Sequence, residues 1–176
     1  MKKVLFIFLA LVLTLSFVLS GCGNKAADTG GSSEEKHVLT IGQTNDALTF
    51  DPQNAFHTQT DTILTNIFSH LFERTANNDI VPDAAESIEV VNDTTWKVKL
   101  KSGIKFHNGD PLTSEDVKFT FERVAGDEKL QVQPYFSAIK EVRIIDDLNF
   151  EFITDGPLPT MKTLTTFSGS WILPKK

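Results

Sequence analysis

Cysteine is nearly missing from this sequence, in which Cys22 is the single cysteine among 176 residues. One cysteine excludes a disulfide bond within the chain, so a hydrophobic core must stabilise the fold. Aromatic residues are also unevenly used, with 14 phenylalanines against 1 tyrosine and 2 tryptophans. This use of phenylalanine is typical of rings that form a core.

Motifs of the common enzyme classes are missing as well. The sequence has no G-x-S-x-G, no H-E-x-x-H, no phosphate-binding G-x-x-x-x-G-K-[ST] and no G-x-G-x-x-G pattern. The four histidines are His37, His57, His70 and His107, and no two of them are close in the sequence. Metal ligands usually show short local spacings. We therefore expect no enzymatic activity, no metal site and no cofactor.

Basic residues are outnumbered, with 17 lysines and arginines against 23 acidic residues and a net charge of −6. Two of the lysines, Lys2 and Lys3, precede a long apolar run, and their removal with that run would change the charge to −8. Because nucleic acids and anionic lipid surfaces attract basic proteins, this acidic chain is expected to bind neither.

The apolar run extends from Val4 to Leu19 and is followed by Ser20-Gly21-Cys22. Positive residues, an apolar stretch and small residues before a cysteine predict a lipoprotein signal peptide over residues 1–21. A transmembrane helix is the alternative interpretation, but the run is shorter than the roughly 20 residues that a span needs. Lipidation of Cys22 would anchor the chain firmly through two acyl chains and would also explain its lone thiol.

Residues 22–36 are rich in Gly, Ser, Ala, Asp and Glu and show no apolar periodicity. They are expected to form a flexible tether. Residues 37–176 then form the globular part, which is long enough for one hydrophobic core.

Residues 96–123 carry the clearest local pattern in the chain. Trp96, Val98 and Leu100 alternate with three lysines, as in a half-buried strand. The turn cluster 108–111 follows, and Thr113 with Asp116 three residues later is typical of a helix N-cap. We therefore predict a strand, a tight turn and a helix over 114–124.

Weaker patterns predict the other elements of a mixed α+β fold. A short strand is predicted at 38–41. Alternation predicts a hairpin from a strand at 88–90 to the Trp96 strand, and two apolar stretches that flank Asp146-Asp147 predict a second hairpin over 139–145 and 148–153. Helical spacing of apolar residues predicts a helix over about 59–73 and a short one near 160–166.

Residues 96–123 closely resemble the signature block of the family 5 extracellular solute-binding proteins, the peptide- and nickel-type receptors of ABC importers. Shorter segments also match family patterns: Leu48–Pro52 resembles its "LDP" segment, Ile80–Ser87 its "IVPGLAES" segment, and Trp171–Lys176 its "xxIVPKK" stretch. The resemblance therefore covers the chain from about residue 38 to residue 176.

The resemblance implies the N-terminal part of a type II periplasmic-binding-protein-like fold, mostly its small extra domain of hairpins and helices. Family members are much longer, so a truncated chain or an interrupted gene is expected. The implied function is capture of oligopeptides or dipeptides at the outer face of the bacterial cytoplasmic membrane, for transfer to ABC permease subunits. Nickel, haem or another small solute, or a stand-alone structural lipoprotein domain, are the alternatives.

The resemblance also implies a few ligand contacts. In peptide-binding members the segment after "LDP" lines the site with backbone groups, and the matching residues here are Phe56, His57 and Thr58. Phe56 replaces the usual polar residue. An aromatic residue in a Pro-Tyr pair after the signature helix also reaches the ligand in some members, and the match is Tyr135. The alternatives are an ordinary loop at 56–58 and a core or surface aromatic at Tyr135.

Overall fold

The computed structural model of the chain describes residues 38–176. The predicted signal peptide over residues 1–21, Cys22 and the whole of the predicted tether over residues 22–36 lie outside the described residues. Residues 38–41 do not form the predicted strand, and their large apolar side chains are exposed. A strand needs a hydrogen-bonded partner, and within the described part of the chain no strand pairs with these residues.

Residues 42–176 form one unit of mixed helices and strands, as the α+β prediction requires. The helices are α1 (Thr58–Leu64), α2 (Ser114–Gly126), α3 (Gln133–Phe136) and α4 (Met161–Leu164). The strands are β1 (Phe72–Arg74), β2 (Ile80–Pro82), β3 (Ala85–Asn92), β4 (Thr95–Leu100), β5 (Ile139–Ile144) and β6 (Asn149–Thr154).

The four longer strands form an antiparallel sheet in the order β3-β4-β6-β5. Both predicted hairpins are confirmed, because β3 pairs with β4 and β5 pairs with β6. The inner pair β4–β6 is regular and places Trp96 opposite Phe152. The pairings that involve the outer strands each contain a register shift, two in β3–β4 and one in β5–β6.

One face of this sheet is apolar and the other is charged, since successive side chains of a strand point to opposite faces. Trp96 on the apolar face is only 4% exposed, as its alternation with lysine predicts. On the charged face Arg143 pairs with Glu151 at 3.2 Å. Only the apolar face therefore contributes to the core.

Helix α2 packs its apolar side against the sheet. Its fully buried Phe121 lies edge-on to Phe152, with ring centroids 4.7 Å apart. Such contacts add to the roughly 1.5–3 kcal/mol that burial of one large apolar side chain contributes. The predicted N-cap is also confirmed, because the Thr113 backbone N–H and hydroxyl both donate to the Asp116 carboxylate at 2.9 Å.

The predicted helix over 59–73 is wrong in its second half. Helix α1 ends at Leu64, and Phe72 lies in β1, where it pairs with Pro82 of β2. Leu71 and Phe72 are both buried although they are adjacent. The helical spacing of apolar residues in the second half of this segment therefore reflects their burial and not a helix. Pairing of β1 with β2 holds the chain extended there.

Candidate functional site

Two of the predicted ligand residues lie side by side although they are far apart in sequence. The ring centroids of Phe56 and Tyr135 are 5.8 Å apart. Phe167 completes the group, at 5.7 Å from Phe56 and 4.8 Å from Tyr135. Phe56 is 48% exposed and Tyr135 is 52% exposed. We call these three side chains the aromatic face.

The chain reaches the aromatic face from three directions. Phe56 lies in the loop before α1, Tyr135 lies in α3, and Phe167 follows α4. The neighbour of Tyr135, Phe136, is fully buried and contacts Phe121 at 6.0 Å between ring centroids. Because Phe136 also lies 6.5 Å from Phe167, the aromatic face is continuous with the core.

His57 and Thr58, the other two predicted contacts, are exposed and belong to the start of α1. His57 is the N-cap residue, and its carbonyl oxygen accepts the Asp61 N–H at 2.9 Å. The Thr58 carbonyl accepts the Thr62 hydroxyl at 2.8 Å. Among the described residues, no ring contact joins His57 to the aromatic face. Both carbonyls therefore accept hydrogen bonds within α1. Of the predicted residues that are distant in sequence, the structure brings Phe56 and Tyr135 into contact.

A partly buried polar network lies next to the aromatic face, and sequence reasoning did not predict it. Arg123 of α2 donates to both carboxylate oxygens of Asp51, at 2.6 and 3.1 Å, and to Gln53 Oε1 at 2.5 Å. The hydrogen bond from Arg123 lowers the pKa of Asp51 below its ordinary 3.8, and Asp51 raises the pKa of Arg123. The pair therefore stays ionised over the neutral pH range.

His70 lies in a partly buried position in the loop between α1 and β1. Its ring stacks on Trp171 at 4.9 Å, and Nδ1 lies 2.9 Å from the Ser170 hydroxyl oxygen. Burial lowers the pKa of His70 to about 4, so the imidazole is neutral at pH 7. Within residues 38–176, no three His, Cys, Asp or Glu side chains are close enough together to hold a metal ion.

A groove elsewhere on the surface includes part of the signature block. It is a groove of about 320 Å³ with a mostly apolar lining that includes Phe68, Phe106, Leu112 and Ile172. His107 and Asn108 of the predicted turn lie at the same groove. None of the predicted ligand residues lines it.

Residues 79–175 match the family described as bacterial extracellular solute-binding proteins, family 5. The chain belongs to this family. The match covers more than half of the chain and includes the signature block. The family assignment made from the sequence is therefore confirmed.

This chain corresponds to only part of the length of its known relatives. Dipeptide-binding protein DppE of Bacillus subtilis is 30% identical over 128 residues, which are 69% of this chain and 24% of DppE. The chain thus spans about a quarter of the length of this relative.

Solved structures agree with the expected fold. The MoaA protein of A. tumefaciens, in complex with mannopinic acid, is 28% identical with a TM-score of 0.68, over 74% of this chain and 28% of MoaA. AppA of Bacillus subtilis, in complex with a nonapeptide, is 25% identical with a TM-score of 0.65, over 72% of this chain and 25% of AppA. The predicted fold class is confirmed.

Two of the segments that resemble family 5 patterns touch each other in the structure. Asp51 belongs to the "LDP"-like segment, and Arg123 ends the signature block. Opposite charges in two separate motifs are a signal from which this pair could have been inferred. Phe167 lies in the stretch Thr165–Ser170, where no local pattern identifies it.

Across the described residues, no helix is both long enough and apolar enough to cross a bilayer.

Proposed function

We propose that this chain is the substrate-binding component of a bacterial ABC importer and that it captures oligopeptides or dipeptides. Membership of family 5 supports the solute-binding role. The likeness to dipeptide-binding DppE, and to AppA in complex with a nonapeptide, supports peptides as the solutes.

The aromatic face is the observation that carries the proposal. Phe56 and Tyr135 were assigned to the ligand site from separate segments, and their rings are in contact and half exposed. Exposed rings held side by side offer apolar area with little conformational entropy to lose. We assign them to contact with side chains or apolar stretches of a bound peptide, and Phe167 joins them as a third contact.

The transport step involves binding and release without covalent chemistry. The ligand is handed to permease subunits in the membrane, and the receptor stays at the outer face of the cytoplasmic membrane through lipid on Cys22.

Replacing Cys22 with Ala is expected to leave the protein unprocessed or to release it into the medium, as cell fractionation would measure. Normal membrane retention of a cleaved Cys22→Ala protein would contradict the lipid anchor.

The affinity of the chain as it stands is expected to be low. One open aromatic face leaves most of a peptide hydrated, so few contacts offset the lost freedom of the ligand. We expect a dissociation constant no tighter than about 1 mM, or roughly −4 kcal/mol. Calorimetry against a mixed peptide library measures it.

The location of binding can be tested in the same samples, because Tyr135 is the single tyrosine of the chain. Peptide addition should shift its ring resonances in a tyrosine-labelled protein, and Phe56→Ala should weaken that response. Ile145→Ala, which truncates an exposed apolar residue that follows β5, is the matched control and should not. Peptide binding that leaves Tyr135 unperturbed would contradict the assignment of the aromatic face to the ligand site.

A small non-peptide solute is the second candidate. It is favoured by the likeness to MoaA, whose structure contains mannopinic acid. Separate titrations decide between the two: mannopinic acid that shifts the Tyr135 resonances at concentrations where peptides do not would assign the site to small solutes.

A further inference from the structure

The three rings of the aromatic face come from segments that are far apart in the sequence. Tertiary contacts must therefore set the distances between them. Its three side chains come from three segments that meet at one buried point. Phe56 follows Gln53 by three residues, and Phe167 precedes Gly169 by two. Tyr135 follows Val132 by three. Gln53, Gly169 and Val132, together with Arg123, form what we call the Gln53 junction.

Gln53 connects the segments through its side-chain amide. The side chain is fully buried, and Nε2 donates to the carbonyl oxygens of Thr120 at 2.8 Å and Gly169 at 3.1 Å. Its Oε1 accepts from Arg123. Both N–H groups and the oxygen of the amide are thus used, and each bond reaches α2 or the loop of Phe167.

Arg123 fixes the orientation of this amide. Its guanidinium is held by the two bonds to Asp51, and a fork of this kind has a fixed geometry that a single ammonium group lacks. Because Asp51 and Gln53 lie in the same loop, Arg123 ties that loop to α2 at two points. The loop continues directly to Phe56.

Gly169 brings α3 to the same point. Its φ of +95° is left-handed, and a Cβ atom there would overlap Val132 Cγ2 and lie 3.3 Å from the Phe136 ring. Only glycine therefore allows the loop of Phe167 to approach α3 this closely while its carbonyl accepts from Gln53. The segments of Phe56, Phe167 and Tyr135 are in this way held together by contacts two or three residues from each ring.

We propose that Gln53 and Arg123 are positioning residues of the candidate ligand site, which hold the three rings of the aromatic face at fixed separations. They do not touch the ligand. Their significance for binding rests on the function proposed above. A face that is already organised loses less freedom when a ligand settles on it, so these two residues would raise affinity without contacting the ligand.

The alternative is that Gln53 and Arg123 only stabilise the fold. The two possibilities differ in what happens at Tyr135, which neither residue contacts through a hydrogen bond. The full 176-residue chain, in detergent micelles and labelled with ¹³C in its single tyrosine ring, should give one set of ring resonances. Neighbouring Phe56 and Phe167 rings should displace these resonances from the values of free tyrosine.

The test compares Gln53→Met with Val98→Ala. The first keeps the length of the side chain and removes both amide donors, whereas the second truncates a buried residue in the middle of β4, opposite Phe150. At matched loss of stability, Gln53→Met should move the Tyr135 resonances toward those of free tyrosine, and Val98→Ala should leave them in place. Unmoved resonances in a folded Gln53→Met protein would overturn the proposal.

Arg123→Lys serves if Gln53→Met does not fold. It keeps the positive charge and loses the two-point contact with Asp51, and it should displace the Tyr135 resonances in the same direction. A folded Arg123→Lys protein with the wild-type spectrum would equally overturn the proposal. No ligand is present in these measurements, so their outcome is independent of whether peptide addition shifts Tyr135 in the wild-type chain.

Discussion

Phenylalanine rings occupy two different surroundings in this chain, the closed core between α2 and the sheet and the open aromatic face. Phe121 and Phe152 are fully buried, whereas Phe56 is half exposed. Core rings gain from removal of apolar area from water. Rings of the aromatic face gain less, and their positions depend on polar contacts behind them. The core thus supplies stability, and the aromatic face supplies surface that a ligand can cover.

The largest effect is expected in the core, where Trp96→Ala removes a side chain that lies opposite Phe152. Loss of the buried indole and the resulting cavity should lower the free energy of unfolding by about 3–5 kcal/mol. Urea denaturation followed by circular dichroism measures it. A denaturation midpoint that barely changes would mean that the facing of β4 is wrong.

Acid pH is expected to act through His70. Its pKa is lowered from 6.5 to about 4 in the folded chain, so the unfolded chain binds the proton first. The stability that neutral His70 contributes should be fully present above pH 6.5 and should fall as the pH decreases from 6.5 to 4. Below pH 4 this group should cause no further change. The total loss is roughly 3 kcal/mol. Urea titrations of wild type and His70→Gln across this range measure the difference, and parallel pH profiles for the two proteins would refute it.

Gly169→Ala tests the boundary between the two regions. A methyl group would overlap Val132, and a φ of +95° is strained for alanine. We expect a loss of about 1–3 kcal/mol. Gly156→Ala is the control, because a Cβ at Gly156 would meet nothing within 4 Å. Equal thermal midpoints for the two variants would show that the loop of Phe167 can move away from α3.

The smallest effect is expected on the aromatic face itself. Tyr135→Ala removes two ring contacts but a side chain that is half exposed. The loss should be about 0.5–1.5 kcal/mol, the range measured for aromatic pairs. Urea denaturation is again sufficient, with Trp96→Ala as the reference. A loss as large as that of Trp96→Ala would mean that the aromatic face is part of the core.

The sequence predicted those elements whose cause is local. Alternation with lysine identified the β4 strand, and the Thr113–Asp116 pair identified the start of α2, because both patterns depend on residues only a few positions apart. The extent of α1 was not predictable in this way. Pairing of β1 with β2 is a tertiary contact, and it overrides the helical spacing that continues to Leu71.

The candidate site shows the same division between local and distant causes. Phe56 and Tyr135 came from the family resemblance, and no pattern in the sequence says that their rings meet. Phe167 and Gln53 were missed because their roles depend on contacts with residues far away in the chain. Whether His57, Thr58 and the two aromatic residues bind a ligand stays a prediction.

The register shifts in the outer strands bear on how the protein behaves in concentrated solution. A sheet ends in unpaired backbone groups, and a straight edge can pair with the edge of another molecule and start aggregation. Here β3 carries two shifts and exposed Glu86 and Glu89, and β5 carries one shift and exposed Lys140 and Glu141. Irregular pairing and charge at both edges disfavour such addition. The regularly paired strands β4 and β6 lie inside the sheet, where each already has a hydrogen-bonded strand on both sides.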